Sequence, residues 1–152
     1  MTRTVMTSLL AGLLCTSAAA ETCTLSNDFC VPFVGCFEDG QGFFHGYTTG
    51  RESGPVVAQT ENGTLCVGEW WRGFAGAGKA KFACEDGKSG RATYTYFHRS
   101  SGTAVGKGRI QSGERVRFWA GHQYLAYVLA DKKQTDAMIS CVKAAADRKI
   151  SR

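Results

Sequence analysis

Residues 64–120 read TLCVGEWWRGFAGAGKAKFACEDGKSGRATYTYFHRSSGTAVGKGRIQSGERVRFWA, and this stretch decides the fold. Apolar and polar residues alternate with period two between glycine-rich turns, the signature of antiparallel strands. Pairing residues 64–71 with 79–85 about a turn centred on Ala75 sets Cys66 opposite Cys84, Gly68 opposite Phe82, Glu69 opposite Lys81 and Trp71 opposite Lys79. Each pair has a physical reason. Opposed cysteines lie within disulfide reach. An aromatic covers the bare backbone of a strand glycine. Opposite charges face each other, and a lysine lies over an indole.

Further hairpins follow. A turn centred on Ser101 sets Tyr96 opposite Gly106 and Tyr94 opposite Gly108. One centred on Gly113 sets Ile110 opposite Val116, Gly108 opposite Phe118 and Lys107 opposite Trp119, and makes Arg109 face Arg117. The link 86–90 sets Phe82 opposite Tyr94. All these loops are odd in length, so one face keeps even numbers throughout: Cys66, Trp70, Phe82, Tyr94, Ile110, Val116 and Phe118 among them. That face is apolar and is the expected core. The odd face carries Lys79, Lys81, Arg91, Lys107, Arg109, Arg115 and Arg117, flanked by Trp71 and Trp119, with Glu69 as counter-charge.

Outside this stretch, residues 42–48 and 55–60 read as two more strands, and 135–149 as a helix. In the helix, Ala137, Met138, Cys141, Val142 and Ala145 form one stripe, with Thr135 as N-cap. The helix is expected to cover the apolar sheet face, and residues 21–40 to form a disulfide-pinned loop. The fold class is therefore mainly β: an antiparallel meander of about five to seven strands, an open twisted sheet or partly closed barrel, with one C-terminal helix.

Residues 1–20 (MTRTVMTSLLAGLLCTSAAA) place Arg3 before a short apolar run and end in small residues, the pattern of a secretory signal peptide. The run is too short to span a bilayer, so no membrane span is expected after cleavage. A single exported domain, 21–152, then holds six cysteines: Cys23, Cys30, Cys36, Cys66, Cys84 and Cys141. An even set in an exported chain reads as three disulfides. Cys66 should bridge Cys84, and Cys141 one of Cys23, Cys30 or Cys36. A periplasmic or extracellular location follows.

Cys-Val-Gly-Glu-Trp at 66–70, Gly-Ala-Gly-Lys-Ala-Lys-Phe at 76–82 and the turn Asp86-Gly87 resemble one MORN repeat, and Gly106-Lys107-Gly108 with Ser112-Gly113 part of a second. The resemblance spans roughly a third of the chain. It implies a strand meander and an association with membrane lipids or scaffolding. The chain is also similar to small cysteine-containing exported bacterial proteins of no assigned activity.

Charge divides the chain. Residues 21–71 carry seven acids and one base, whereas 72–117 carry ten bases and three acids. The basic face is the strongest functional feature, suited to phosphates, sulfates or acidic sugars. The expected role is a non-enzymatic exported binding module, its partner an anionic lipid, a polysaccharide or an acidic protein, with no specific nucleic acid. The ordinary alternative is a solvated sheet face, which needs charge for solubility. Residues 73–80 nearly spell a phosphate-binding loop, but Ala80 stands where a Ser or Thr would hold magnesium, so a hairpin turn is the better reading. No catalytic motif, metal-ligand spacing or cofactor signature occurs. A small envelope hydrolase or inhibitor is the other functional class. Its site would lie in the 21–60 loops; the histidines are His45, His98 and His122, and Glu38, Asp39 or Glu52 would serve as the carboxylate of a site assembled in space.

Overall fold

A computed structural model describes residues 29–98 and 103–148. Eight strands run in chain order: β1 (Cys30–Phe37), β2 (Phe43–Thr49), β3 (Ser53–Thr60), β4 (Leu65–Arg72), β5 (Gly78–Cys84), β6 (Ser89–His98), β7 (Thr103–Ile110) and β8 (Arg115–Ala120). Each pairs antiparallel with the next, and β8 returns to pair with β1, closing a barrel. The sheet is therefore neither open nor partly closed, and it has more strands than expected. Closure removes both sheet edges and lets the apolar face fold onto itself, so no helix is needed to cover it.

The extra strand is β1, in the segment expected to be a loop. Its sequence CVPFVGCF lacks polar alternation because both of its faces are covered. Phe33 points into the barrel, and Val34 and Cys36 lie under a helix. Pro32 sits where pairing with β8 ends, and its carbonyl accepts from Gly121 N at 2.9 Å. Its missing N–H faces the same way, past the last β8 pair, so the β1–β2 ladder on the other side keeps its bonds.

Inside, Phe33, Phe44, Trp70, Phe82, Tyr94 and Phe118 alternate with small residues, as a tapering eight-strand barrel requires. Tyr94 and Phe118 meet edge-on at 5.1 Å, and Phe44 and Phe82 at 5.5 Å. Trp70 Nε1 donates to Thr49 O at 2.8 Å. An apolar cavity of ≈ 70 Å³ remains among these side chains, lined by Phe33, Phe44, Phe82, Tyr94 and Phe118.

The β4–β5 register is as expected from sequence, including the Cys66–Cys84 disulfide. The later registers are displaced. β5–β6 pairs Phe82 with Gly90, not Tyr94. β6–β7 pairs Tyr94 with Gly106 and Ala92 with Gly108, then shifts at a bulge between Tyr94 and Tyr96. β7–β8 pairs Gly106 with Phe118 and Gly108 with Val116. The cause is tighter turns than assumed. Gly87 and Gly113, at φ 83° and 111°, close short loops through bonds back to Cys84 O and Ile110 O. Up to the bulge in β6, and across β7–β8, the displacements are even in number, so inward and outward faces are preserved. Past the bulge Phe97 pairs with Ala104, one residue off the expected register, and packs inward against Trp70.

Two helices lie on the outside. α2 (Asp136–Ala146) is slightly shorter than the expected span, and Thr135 Oγ1 caps it by accepting from Met138 N at 3.3 Å. Met138, Val142 and Ala145 are buried, whereas Ala137 is exposed. α1 (Tyr124–Ala130) is a second helix beyond the one expected, and Tyr124, Leu125 and Val128 form its packed stripe. Both helices pack on Val34, Cys36, Phe43 and Trp119. Cys36 bridges Cys141, tying β1 to α2. Cys30 is also disulfide-bonded. The expected leader at 1–20 and Cys23 lie outside the described residues. Within the described residues no helix is long and apolar enough to cross a membrane.

Candidate functional site

Strands β5 to β8 carry the basic residues, and the register orders them. Lys81 faces Arg91, Arg91 faces Arg109, and Arg109 faces Arg115. Four bases on four adjacent strands thus form one row. With strands about 4.8 Å apart, the row is roughly 14 Å long. A second row runs Lys79, Thr93, Lys107, Arg117, displaced by two residues along the strands. Arg109 therefore faces Arg115 and not Arg117, and Lys107 faces Arg117 and not Trp119.

These side chains point outward because their neighbours in sequence are Ala80, Phe82, Ala92, Gly106, Gly108, Ile110 and Val116, which the barrel interior takes. Lys79, Lys81, Arg91, Lys107, Arg109 and Arg115 are exposed. The acidic segment 29–71 contributes strands to the barrel wall and does not lie over them. Glu69 is the one carboxylate within strands β4–β8. It meets Lys81 Nζ at 2.7 Å, with both side chains more than half exposed, and such a pair contributes at most ~1 kcal/mol.

At the helix side the wall changes character. Arg117 is half-buried, donates from Nη1 to Gln134 Oε1 at 3.3 Å, and lies 5.8 Å from the Trp119 ring. Trp119 itself is 1% exposed beneath the helices, so it is core and not a surface aromatic. Only Trp71, half-buried and opposite Lys79, flanks the rows. An open depression runs along the wall, lined by Glu69, Lys81, Ser89, Arg91, Arg109 and Gln111. Guanidinium groups here can take an oxyanion in bidentate fashion, and the Ser89 hydroxyl beside them donates to Gln111 Oε1 at 2.8 Å.

Glu38 and Asp39 lie in the β1–β2 turn, and Glu52 lies at the other end of the barrel, 3.6 Å from Arg72 Nε. His45 is buried on the outer side of β2, and burial, then the nearby Arg148 charge, holds its pKa below the ordinary 6.5. Among the described residues no three His, Cys, Asp or Glu side chains gather as a metal site. Sequence reasoning missed the row order, because it depends on turn lengths. It also missed Phe74, fully exposed in the β4–β5 turn, although the apolar run Gly-Phe-Ala-Gly-Ala-Gly at 73–78 marks that turn as unusual. No family model, curated protein or solved structure matches the chain.

Proposed function

We propose that the protein is an exported binding module whose outer barrel wall, strands β5–β8, holds a polyanionic partner. The observation that carries this reading is the row Lys81–Arg91–Arg109–Arg115. Like charges directly opposed across strands destabilise a sheet, so folding gives no reason to align four of them. A partner bearing repeated phosphate, sulfate or carboxylate groups neutralises the row and gives that reason. The disulfides accord with an oxidising compartment outside the cytosol. The rows act as a field over an open surface, which suits a repeating or laminar partner better than a small ligand.

Retention on a heparin column at low salt tests the reading. Wild type should be retained and should elute as salt rises, because screening weakens exposed charge pairs. The double variant Arg91→Glu, Arg109→Glu should elute at markedly lower salt while keeping its circular dichroism spectrum. Equal elution of the two, or passage of wild type without retention, would overturn the proposal.

A further inference from the structure

The β4–β5 turn differs from the turns at the opposite end of the barrel. In an up-and-down barrel successive turns alternate between ends, so the turns after β1, β3, β5 and β7 share one end. They contain Glu38, Asp39, Glu61, Glu85, Asp86 and Glu114, against Lys88. The β4–β5 turn closes the other end and carries no polar side chain from Gly73 to Gly78. Its apex is a single 3-10 turn, Phe74–Gly76, in which the Phe74 side chain is 100% exposed. Ala75 is held at φ 61°, a left-handed conformation that non-glycine residues adopt only at a cost. Directly behind the apex lie Trp71 and Lys79, opposed across the hairpin.

An isolated exposed phenylalanine is ordinary on a soluble surface. Here it crowns a turn of wholly apolar and glycine residues, with the Arg72–Gly78 pair next and the indole and lysine of Trp71 and Lys79 behind that. That sequence of groups matches the layers of a membrane interface: ring in the acyl boundary, Trp and Lys at headgroup depth. Of the two rows, the one that starts at Lys79 lies nearer this hairpin, and the row Lys81–Arg91–Arg109–Arg115 lies two residues further along the strands. The described turns at this end hold one acid, Glu52, beside Arg51, against six carboxylates at the far end. The charge distribution therefore orients the apex toward a negative surface and the acidic turns away from it.

We propose that the β4–β5 hairpin docks the protein on an anionic lipid bilayer, with Phe74 entering the acyl boundary while Lys79 and the adjoining bases meet lipid phosphates. The inference rests on the reading of the basic wall as a polyanion-binding surface and names its partner as a membrane leaflet.

Co-sedimentation of the full chain with phosphatidylglycerol–phosphatidylcholine vesicles at low salt, run beside heparin retention, tests it. Wild type should bind the mixed vesicles and not phosphatidylcholine alone. Phe74→Ser should lower vesicle partitioning about tenfold or more, the loss expected for one buried aromatic side chain, and leave heparin retention unchanged. Phe74→Trp should retain binding, with fluorescence quenched by brominated lipid beyond that of the wild-type tryptophans. If Phe74→Ser binds vesicles as wild type does, or neutral vesicles bind equally well, the inference fails and the wall reading stands. It also fails, leaving that reading intact, if wild type binds heparin but no vesicles. If wild type binds neither, both readings fall together.

Discussion

At the scale of single residues, Gly106 and Gly108 show how finely the barrel interior is fitted. Gly106 lies between Tyr94 and Phe118 in the sheet, and a Cβ there would collide with the Phe118 ring and with Thr93 O. Gly108 lies between Ala92 and Val116, where a Cβ would meet Arg91 O at 3.1 Å and Ala92 Cβ at 3.4 Å. Gly106→Val should therefore overpack the layer and cost about 1–3 kcal/mol or more. Gly108→Ala should cost less, because its nearest neighbour, Arg91 O at 3.1 Å, needs to give way only slightly. Thermal unfolding of the two variants checks the contrast, and equal melting temperatures would contradict the assigned packing. The even numbering of both glycines is enough to put them inside the barrel. Which aromatic each one meets is not, because that depends on a two-residue difference in turn length. Trp119 shows a different limit. Its odd number correctly puts it on the outer wall, yet it is core, because the two helices that follow β8 fold back over that part of the wall.

Among the elements, the four turns at the acidic end share one design. Each closes with a glycine at positive φ: Gly40, Gly63, Gly87 and Gly113. Each of these donates its N–H three residues back, to Phe37 O, Thr60 O, Cys84 O and Ile110 O. The preceding residues are Glu38-Asp39, Glu61-Asn62, Glu85-Asp86 and Gln111-Ser112, so the recurring turn was readable as a repeat of nearly equal spacing. Taken as the hairpin signal, it gives the observed β5–β6 and β7–β8 registers. β1 was harder to see, since a strand covered on both faces loses the alternation that reveals strands. The row Lys81–Arg91–Arg109–Arg115 has its own energetic consequence. Arg91→Glu turns two repulsive neighbours into attractive ones. Each cross-strand pair is worth roughly 0.2–1 kcal/mol, so the variant should be more stable by about 1 kcal/mol. Calorimetry should show the melting temperature rising by roughly 3–5 °C at low salt, with the gain shrinking as salt is added. A fall in melting temperature would mean that the row is not strained.

Across the whole molecule, apolar residues fill the barrel and charge covers its β5–β8 wall, the reverse of a barrel that spans a membrane with its strands. The charge asymmetry seen along the sequence becomes a spatial one. Among the described acids of the N-terminal half, Glu52 pairs with Arg72 and Glu69 with Lys81, while Glu38, Asp39 and Glu61 sit in turns at one end of the barrel. Composition alone gave the excess of bases, and strand parity gave their common face. Neither gave the rows, which need the registers, nor the apolar apex, which needs the turn's exposure. The most direct measurement of whether the wall is a binding surface is a titration of the isotope-labelled protein with a defined sulfated oligosaccharide at low salt, followed amide by amide. The expected shifts centre on Lys81, Arg91, Arg109 and Arg115, fade toward Arg117 where the helices begin, and spare the acidic turns. Shifts centred instead on β2 and β3, or no shifts at low salt, would contradict a binding role for the basic wall.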